Sequence, residues 1–398
     1  MKRITIAAAL LMALGSPAQD AVRPEIGKPL QAAQDHLKAQ RFKEALAKVR
    51  EADAVHNKTA SEQTLVERMR LSAALGAGDN AAAERAFESL SAANKLSQAD
   101  QLKLMESLAG GYYRAKDFAK ATQWAQRHLK EGGTSNGMRQ LVLQAQYESG
   151  DFASVAKSLQ AEIAADEKAG RTPAEDRLQL LAYSQQKLND TAGYVGTLEK
   201  LVAYHPKKNY WSDLIARVQR KPGFSDRYAL DIYRLRLATG NLSDSNDFME
   251  MAQLAVQSGN PTEAKKIVEQ GYASGALGKG AEAERHKRLA DLVDKNVAED
   301  GKALADALTE AQAARGGDAL VAVGYKHVAM GQAEKGVALI EQGIAKGQLK
   351  RPDEAQLRLG IAQLRAGQKA KAAKTLRAVK GSDGSADIAR LWALHGGG

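Results

Sequence analysis

Between Glu106 and Leu129 the chain reads ESLAGGYYRAKDFAKATQWAQRHL, with bulky residues at Leu108, Tyr112, Phe118 and Leu129 and tiny ones at Ala109 and Ala121. A short polar break, AKDF, interrupts the stretch. Residues three and four apart share one face of a helix, so the spacing predicts two helices joined at the break. The same phase returns along the chain. Turns open GDNAAAERAF at Gly78, KDFAKATQWA at Lys116, GDFASVAKSL at Gly150, GNPTEAKKIV at Gly259, GQAEKGVALI at Gly331 and GQKAKAAKTL at Gly367. Five residues on stands a small or modest apolar residue: Ala83, Ala121, Val155, Ala264, Gly336 or Ala372. Four further on stands Phe87, Ala125, Leu159, Val268, Ile340 or Leu376. Before four of the turns a large residue, a tiny one and a third position one helical turn later recur: Leu108-Ala109 with Tyr112, Met251-Ala252 with Ala255, Val323-Gly324 with His327, and Leu359-Gly360 with Gln363.

Antiparallel helices approach closely only where side chains are small, and large residues fill the space that remains. Ala109 and Ala121 are therefore expected at helix contacts, with Leu108, Tyr112 and Phe118 between them and Lys120 on the surface. Ala and Leu dominate the apolar positions, and Gln, Lys and Glu, also good helix formers, are frequent. Alternating Val, Ile and Thr runs of the kind that make strands are almost absent. Pro173, Pro206, Pro261 and Pro352 stand at helix starts or between helices. The fold class expected is all-α: an α-solenoid of about ten antiparallel helical hairpins, presenting an elongated curved surface.

Gly, Pro and Asn mark loops at 132–137, 205–209 and 275–280, and the last is the expected division of the array. The organisation expected is a linker over 19–28, one helical array over 29–274, a second over 281–380, and a capping helix with a tail over 381–398. A cap is needed because an end repeat otherwise exposes its apolar face. Residues 209–240 and 281–314 are helical but off-phase, and both read as variant hairpins.

The first residues, MKRITIAAALLMALGSPAQD, join two positive charges to an apolar run too short to span a bilayer comfortably, followed by the small residues Ser16-Pro17-Ala18. A signal peptide over 1–18, cleaved after Ala18, is expected, with an uncleaved anchor as the alternative. The mature chain is then periplasmic, with no further transmembrane segment. There are no cysteines, which excludes disulfides, thiolate metal sites and Cys nucleophiles. The net charge of +10 reads as spread along the chain, without the long Lys/Arg block of a nucleic-acid arm. A basic exterior of this kind suits anionic glycan or lipid surfaces, or has no specific partner at all.

Chemistry is sparse. Gly133–Gly137 matches the Gly-x-Ser-x-Gly pattern, yet a basic helix precedes Ser135 where a nucleophile elbow needs a strand. The seven histidines (His36, His56, His128, His205, His286, His327 and His395) do not pair at helical spacing, so no zinc motif appears. His327 falls on a packing position. No phosphate loop or EF-hand is present, and no catalytic pair of carboxylates is singled out; neither an enzyme nor a cofactor or metal is expected.

The bulky–tiny–third pattern, the turn and the small residue on the second helix resemble the tetratricopeptide repeat (TPR), whose signature is Leu-Gly-x-x-Tyr, a turn, then Ala-x-x-x-Phe, with a late Pro. The third, ninth and tenth units fit best; the first, fourth and fifth depart most, although the fifth ends in the expected His205-Pro206. In the family the first helix of each hairpin lines a concave groove. The resemblance implies a peptide- or protein-binding groove at Lys103, Tyr113 and Arg114, then Gln140, Gln144 and Tyr147, then Gln179, Tyr183 and Gln186. Glu106 and Gly110 occupy positions where the family's carboxylate clamp needs Lys and Asn, which argues against that mode. Exported TPR proteins serve outer-membrane biogenesis and TonB-type transport, and others serve polysaccharide synthesis or export. The resemblance thus implies a non-catalytic adaptor for envelope proteins or extended peptides, or alternatively a glycan-machine component, and no nucleic acid.

Overall fold

The computed structural model describes residues 22–397, and the signal peptide expected over 1–18 lies outside them. Among the described residues there are twenty α-helices and no strand. In chain order they are α1 (Pro24–Lys38), α2 (Phe42–Asp53), α3 (Ala60–Ala77), α4 (Asn80–Ala92), α5 (Gln98–Arg114), α6 (Phe118–Lys130), α7 (Asn136–Glu148), α8 (Phe152–Lys168), α9 (Glu175–Lys187) and α10 (Thr191–Tyr204). There follow α11 (Lys208–Gln219), α12 (Ala229–Ala238), α13 (Ser245–Gln257), α14 (Pro261–Ala273), α15 (Ala283–Ala313), α16 (Asp318–Ala329), α17 (Ala333–Lys346), α18 (Pro352–Arg365), α19 (Lys369–Arg377) and α20 (Ser385–Gly397). The chain divides into two compact units, residues 1–161 and 162–398, with the division inside α8. The loop 275–280 lies within the second unit.

One turn geometry repeats. The backbone N–H of Asp79, Asp117, Asp151, Asp190, Asn260, Gln332 and Gln368 bonds the carbonyl five residues earlier, at 2.8–3.0 Å. This closes the preceding helix as a Schellman turn. It requires a left-handed residue just before, supplied by glycine in five cases and by Lys116 (φ 61°) and Asn189 (φ 55°) in the other two. The carboxylates of Asp79, Asp117, Asp151 and Asp190 then cap the next helix, accepting from Ala82, Lys120, Ser154 and Gly193 N–H at 2.9–3.1 Å. AKDF is thus a helix end and a helix start compressed into four residues.

The predicted packing register is observed. Ala83, Ala121, Val155, Ala264, Gly336 and Ala372 are all buried, as are the residues four further on. So are all twelve residues of the four upstream triplets, His327 and Gln363 included. Lys120 departs from expectation: it bonds Glu84 of α4 at 2.7 Å and lies over the Tyr112 ring.

In the first unit α1 touches α3, α3 touches α5 and α5 touches α7, while even-numbered neighbours are not brought together to the same extent. The odd-numbered helices therefore converge on the inner side of a curve. Glu62 anchors its start. Its carboxylate accepts from Arg23 at 2.9–3.1 Å and from Thr59 N–H at 2.9 Å, completing a capping box with the Thr59 hydroxyl.

The second unit is not the open strip expected. From α9 to α20 each helix packs on the next, and α20 also packs back on α10 and α12, closing a ring. Ser225 N–H donates to Asp383 O at 2.9 Å, Lys221 pairs with Asp387 at 3.1 Å, and Arg390 reaches Glu199 at 2.6 Å. The helix expected as a cap is thus also a clasp. Residues 281–314 are one unbroken helix rather than a hairpin: α15 runs for 31 residues. Gly301 alone does not stop a run rich in Ala, Glu, Lys and Leu, because an isolated interior glycine costs only about 1 kcal/mol.

The tightest contact joins α16 to α17. A Cβ on Gly336 would lie 2.6 Å from Gly324 O and 3.0 Å from Val328 N. Gly196 on α10 faces open space. Gly336→Ala is expected to lower unfolding free energy by about 1–3 kcal/mol through overpacking, and Gly196→Ala to raise it by about 0.5–1 kcal/mol. Denaturant melts should show opposite signs; equal shifts would contradict the contact. A second expectation concerns acid. The Arg23 side chain and then Thr59 N–H lower the Glu62 pKa from 4.5 to about 2. Its contribution is present above pH 4.5 and is lost as pH falls towards 2. The stability gap between wild type and Glu62→Gln should therefore stay constant down to about pH 4.5 and narrow below it. A gap that does not change across that range would exclude the pairing.

Candidate functional site

Six of the implied groove residues lie on α5 and α7, odd-numbered helices of the first unit. Lys103 and Arg114 on α5, and Gln140, Gln144 and Tyr147 on α7, are exposed, and Tyr113 is half-buried. The three α7 residues stand at i, i+4 and i+7, on one helix face. Tyr113 leans on Phe118 at 5.6 Å and Tyr147 on Phe152 at 5.9 Å, measured between ring centroids. Each pair joins the last turn of one helix to the first residue of the next, so the aromatic planes are held by the hairpin turn. That leaves Lys103, Arg114, Gln140 and Gln144 as donors and acceptors beside two fixed rings. Aromatic rings with adaptable amides suit an extended chain.

The α9 residues belong to the second unit and differ among themselves. The Gln179 amide bonds the Tyr210 hydroxyl at 2.5 Å, within a network in which Tyr210 and Lys207 both reach Glu175. Lys187 sits over the Tyr183 ring at 5.2 Å. Gln186 is exposed.

Inside the second unit lies a polar cluster that the sequence reading missed. Asp231 on α12 is fully buried. Both Arg358 nitrogens of α18 reach its two oxygens, and Arg234 reaches it at 2.8 Å. Arg234 also pairs with Glu263 of α14 in a bidentate bond at 2.6 and 2.8 Å. Both guanidiniums lie over the Tyr325 ring of α16, at 4.8 and 4.9 Å from its centroid. Two carboxylates and two guanidiniums balance in charge. Burial pushes the Asp231 carboxyl up, but Arg358 and Arg234 more than offset this and hold it below its ordinary value. Burial likewise opposes ionisation of Glu263, and Arg234 keeps it lowered. No residue of α12 is exposed. The inner space of the second unit is therefore filled by the chain itself. The signal was present in RYALDIYRLRLATG, which places Asp231 and Arg234 three residues apart, on one face of a mainly apolar helix.

Ser135 stands at the start of α7 with helix on both sides of its loop. Among the described residues no three of His, Asp or Glu are grouped to hold a metal, and no helix is long and apolar enough to cross a membrane. Buried His327 places Nδ1 2.8 Å from Gln332 Oε1, and His128 places Nδ1 3.1 Å from Leu102 O.

Two segments, 178–208 and 354–382, match the tetratricopeptide repeat family. They cover the hairpins α9–α10 and α18–α19, a small part of the chain. The tenth repeat was among the best fits by sequence. The fifth, read as departing most, is the other match, and its His205-Pro206 end carried the better signal. No curated protein matches the chain. Similar solved structures include the TPR2AB domain of yeast Sti1 in complex with pHSP90, at 13% identity over 75% of this chain and 99% of that one, TM-score 0.23. A Naa15/Naa10 complex bound to HypK-THB is similar at 16% identity over 90% of this chain and 59% of that one, TM-score 0.29. The maize pentatricopeptide repeat protein PPR10 is similar at 13% identity over 93% of this chain and 62% of that one, TM-score 0.27.

Removing one member of a buried ion cluster leaves the others uncompensated. Asp231→Asn should cost about 3–5 kcal/mol of unfolding free energy, read as a lower denaturation midpoint of the second unit. An unchanged midpoint would show that the cluster does not hold the ring.

Proposed function

We propose that the protein is a non-catalytic scaffold that binds a segment of another protein along the odd-numbered helices of its first unit. One observation supports this reading: α5 and α7 of that unit carry two turn-held aromatic rings and exposed Lys, Arg and Gln side chains, whereas the second unit's interior is filled by α12. The leader-like first residues support work in a bacterial envelope, where the partner is an envelope protein of an outer-membrane biogenesis or TonB-type system. A role in a polysaccharide machine is the competing assignment, and the same experiment separates the two.

The test is site-specific photo-crosslinking in envelope extracts. A photo-reactive residue at Gln144 should capture a discrete protein, and the same residue at Lys130, exposed on even-numbered α6, should not. In the purified complex, Tyr113→Ala with Tyr147→Ala should weaken binding by about tenfold or more while leaving the melting temperature near wild type. Equal capture at both positions, or capture of glycan alone, would overturn the reading.

A further inference from the structure

Residues 355–382 contain seven basic side chains and no acidic one, in a chain whose net charge is +10. Seven positive charges with no carboxylate between them therefore stand in one stretch of the chain. Arg358 is consumed by the buried cluster. Of the rest, Lys371, Lys374 and Arg377 follow one another at three-residue steps on α19, and all are exposed. They make no ion pair among the described residues. The acidic groups nearby are committed elsewhere: Asp383 to Arg227, Asp387 to Lys221 and Arg390, Glu199 to Arg390, and Asp353 to Lys380 N–H. Like charges on adjacent turns repel one another, so the fold gains nothing from the stripe.

Arg377, the last of the three, also borders a groove of about 380 Å³ between α19 and α20, lined by Leu376, Val379, Ala386, Ala393 and Leu394 and by Arg390. Charge alone would serve a polyanionic glycan, but such a ligand has no use for an apolar floor. A lipid surface would need a convex or flat apolar face rather than a concave one. A chain that offers carboxylates to the stripe and an apolar side chain to the groove satisfies both.

We propose that the α19–α20 face docks an acidic amphipathic segment of a partner protein, its carboxylates on Lys371, Lys374 and Arg377 and an apolar side chain between the two helices. This is a second surface, distinct from the inner face of the first unit.

The full chain can be titrated by fluorescence anisotropy with a labelled amphipathic peptide that places Glu on one helix face and Leu on the other, and with a shorter poly-Glu of equal charge. The amphipathic peptide should bind at least about tenfold tighter than poly-Glu. Lys371→Glu with Lys374→Glu and Arg377→Glu should weaken it by about tenfold or more without changing the circular dichroism melt. Tyr113→Ala with Tyr147→Ala should leave its affinity unchanged, which separates this docking from the first unit's binding. The proposal is overturned by equal affinity for the two peptides, by absence of binding, or by preference for heparin or for phosphatidylcholine–phosphatidylglycerol vesicles. It is also overturned if the charge-reversed protein binds as the wild type does.

Discussion

Helices in this protein meet where a side chain is missing. At the α16–α17 contact the backbone of Gly336 approaches that of Gly324, and a Cβ on Gly317 would strike the Gly343 carbonyl. Elsewhere alanine provides the notch, as at Ala109 and Ala121. Dispersion falls off steeply with separation, so this approach brings the flanking bulky residues into contact at interior density. The Schellman turns then fix where along each helix the notch falls. Turn and notch are one device: shifting either by one residue would put a large side chain where only a small one fits.

The second unit adds a constraint of another kind. Asp231 and Arg234 pair with each other on a helix with no exposed residue, so their remaining partners must arrive from other helices. Glu263, Tyr325 and Arg358 come from α14, α16 and α18. Apolar packing tolerates sliding, but buried ions tolerate little, because any misalignment leaves a charge uncompensated. The cluster thus makes three hairpins agree on one register around α12. It contributes little net stability compared with a well-packed apolar core, and its effect is to select the arrangement.

Much of the fold was legible because it is local. The turn residues, the notches and the bulky fillers recur at fixed spacing, and the notches were found buried. What escaped was nonlocal. Periodicity states which face of α12 or α20 is apolar, but not that α20 meets α10 or that α12 lies inside a ring. Residues 281–314 were misread because an off-phase pattern was taken for a break, although no strong helix breaker is present. Lys120 was read as surface without regard to Glu84, a partner supplied by another hairpin. Of the implied groove, Tyr113, Gln144 and their neighbours lie on α5 and α7, while Gln179 is engaged by Tyr210, a residue 31 positions away. The charge of α19 could have been found by counting within windows instead of over the whole chain.

Ring closure has a consequence for synthesis. Arg390 meets Glu199 across 191 residues of sequence, so α10 and α12 leave the ribosome well before the helix that completes their surroundings. At roughly 5–20 residues per second, the interval is on the order of 10–40 s. Through it, α12 stands without several of the helices that bury it, while the first unit already has all its neighbours. The second unit is therefore the part of this chain whose folding waits on its last helix.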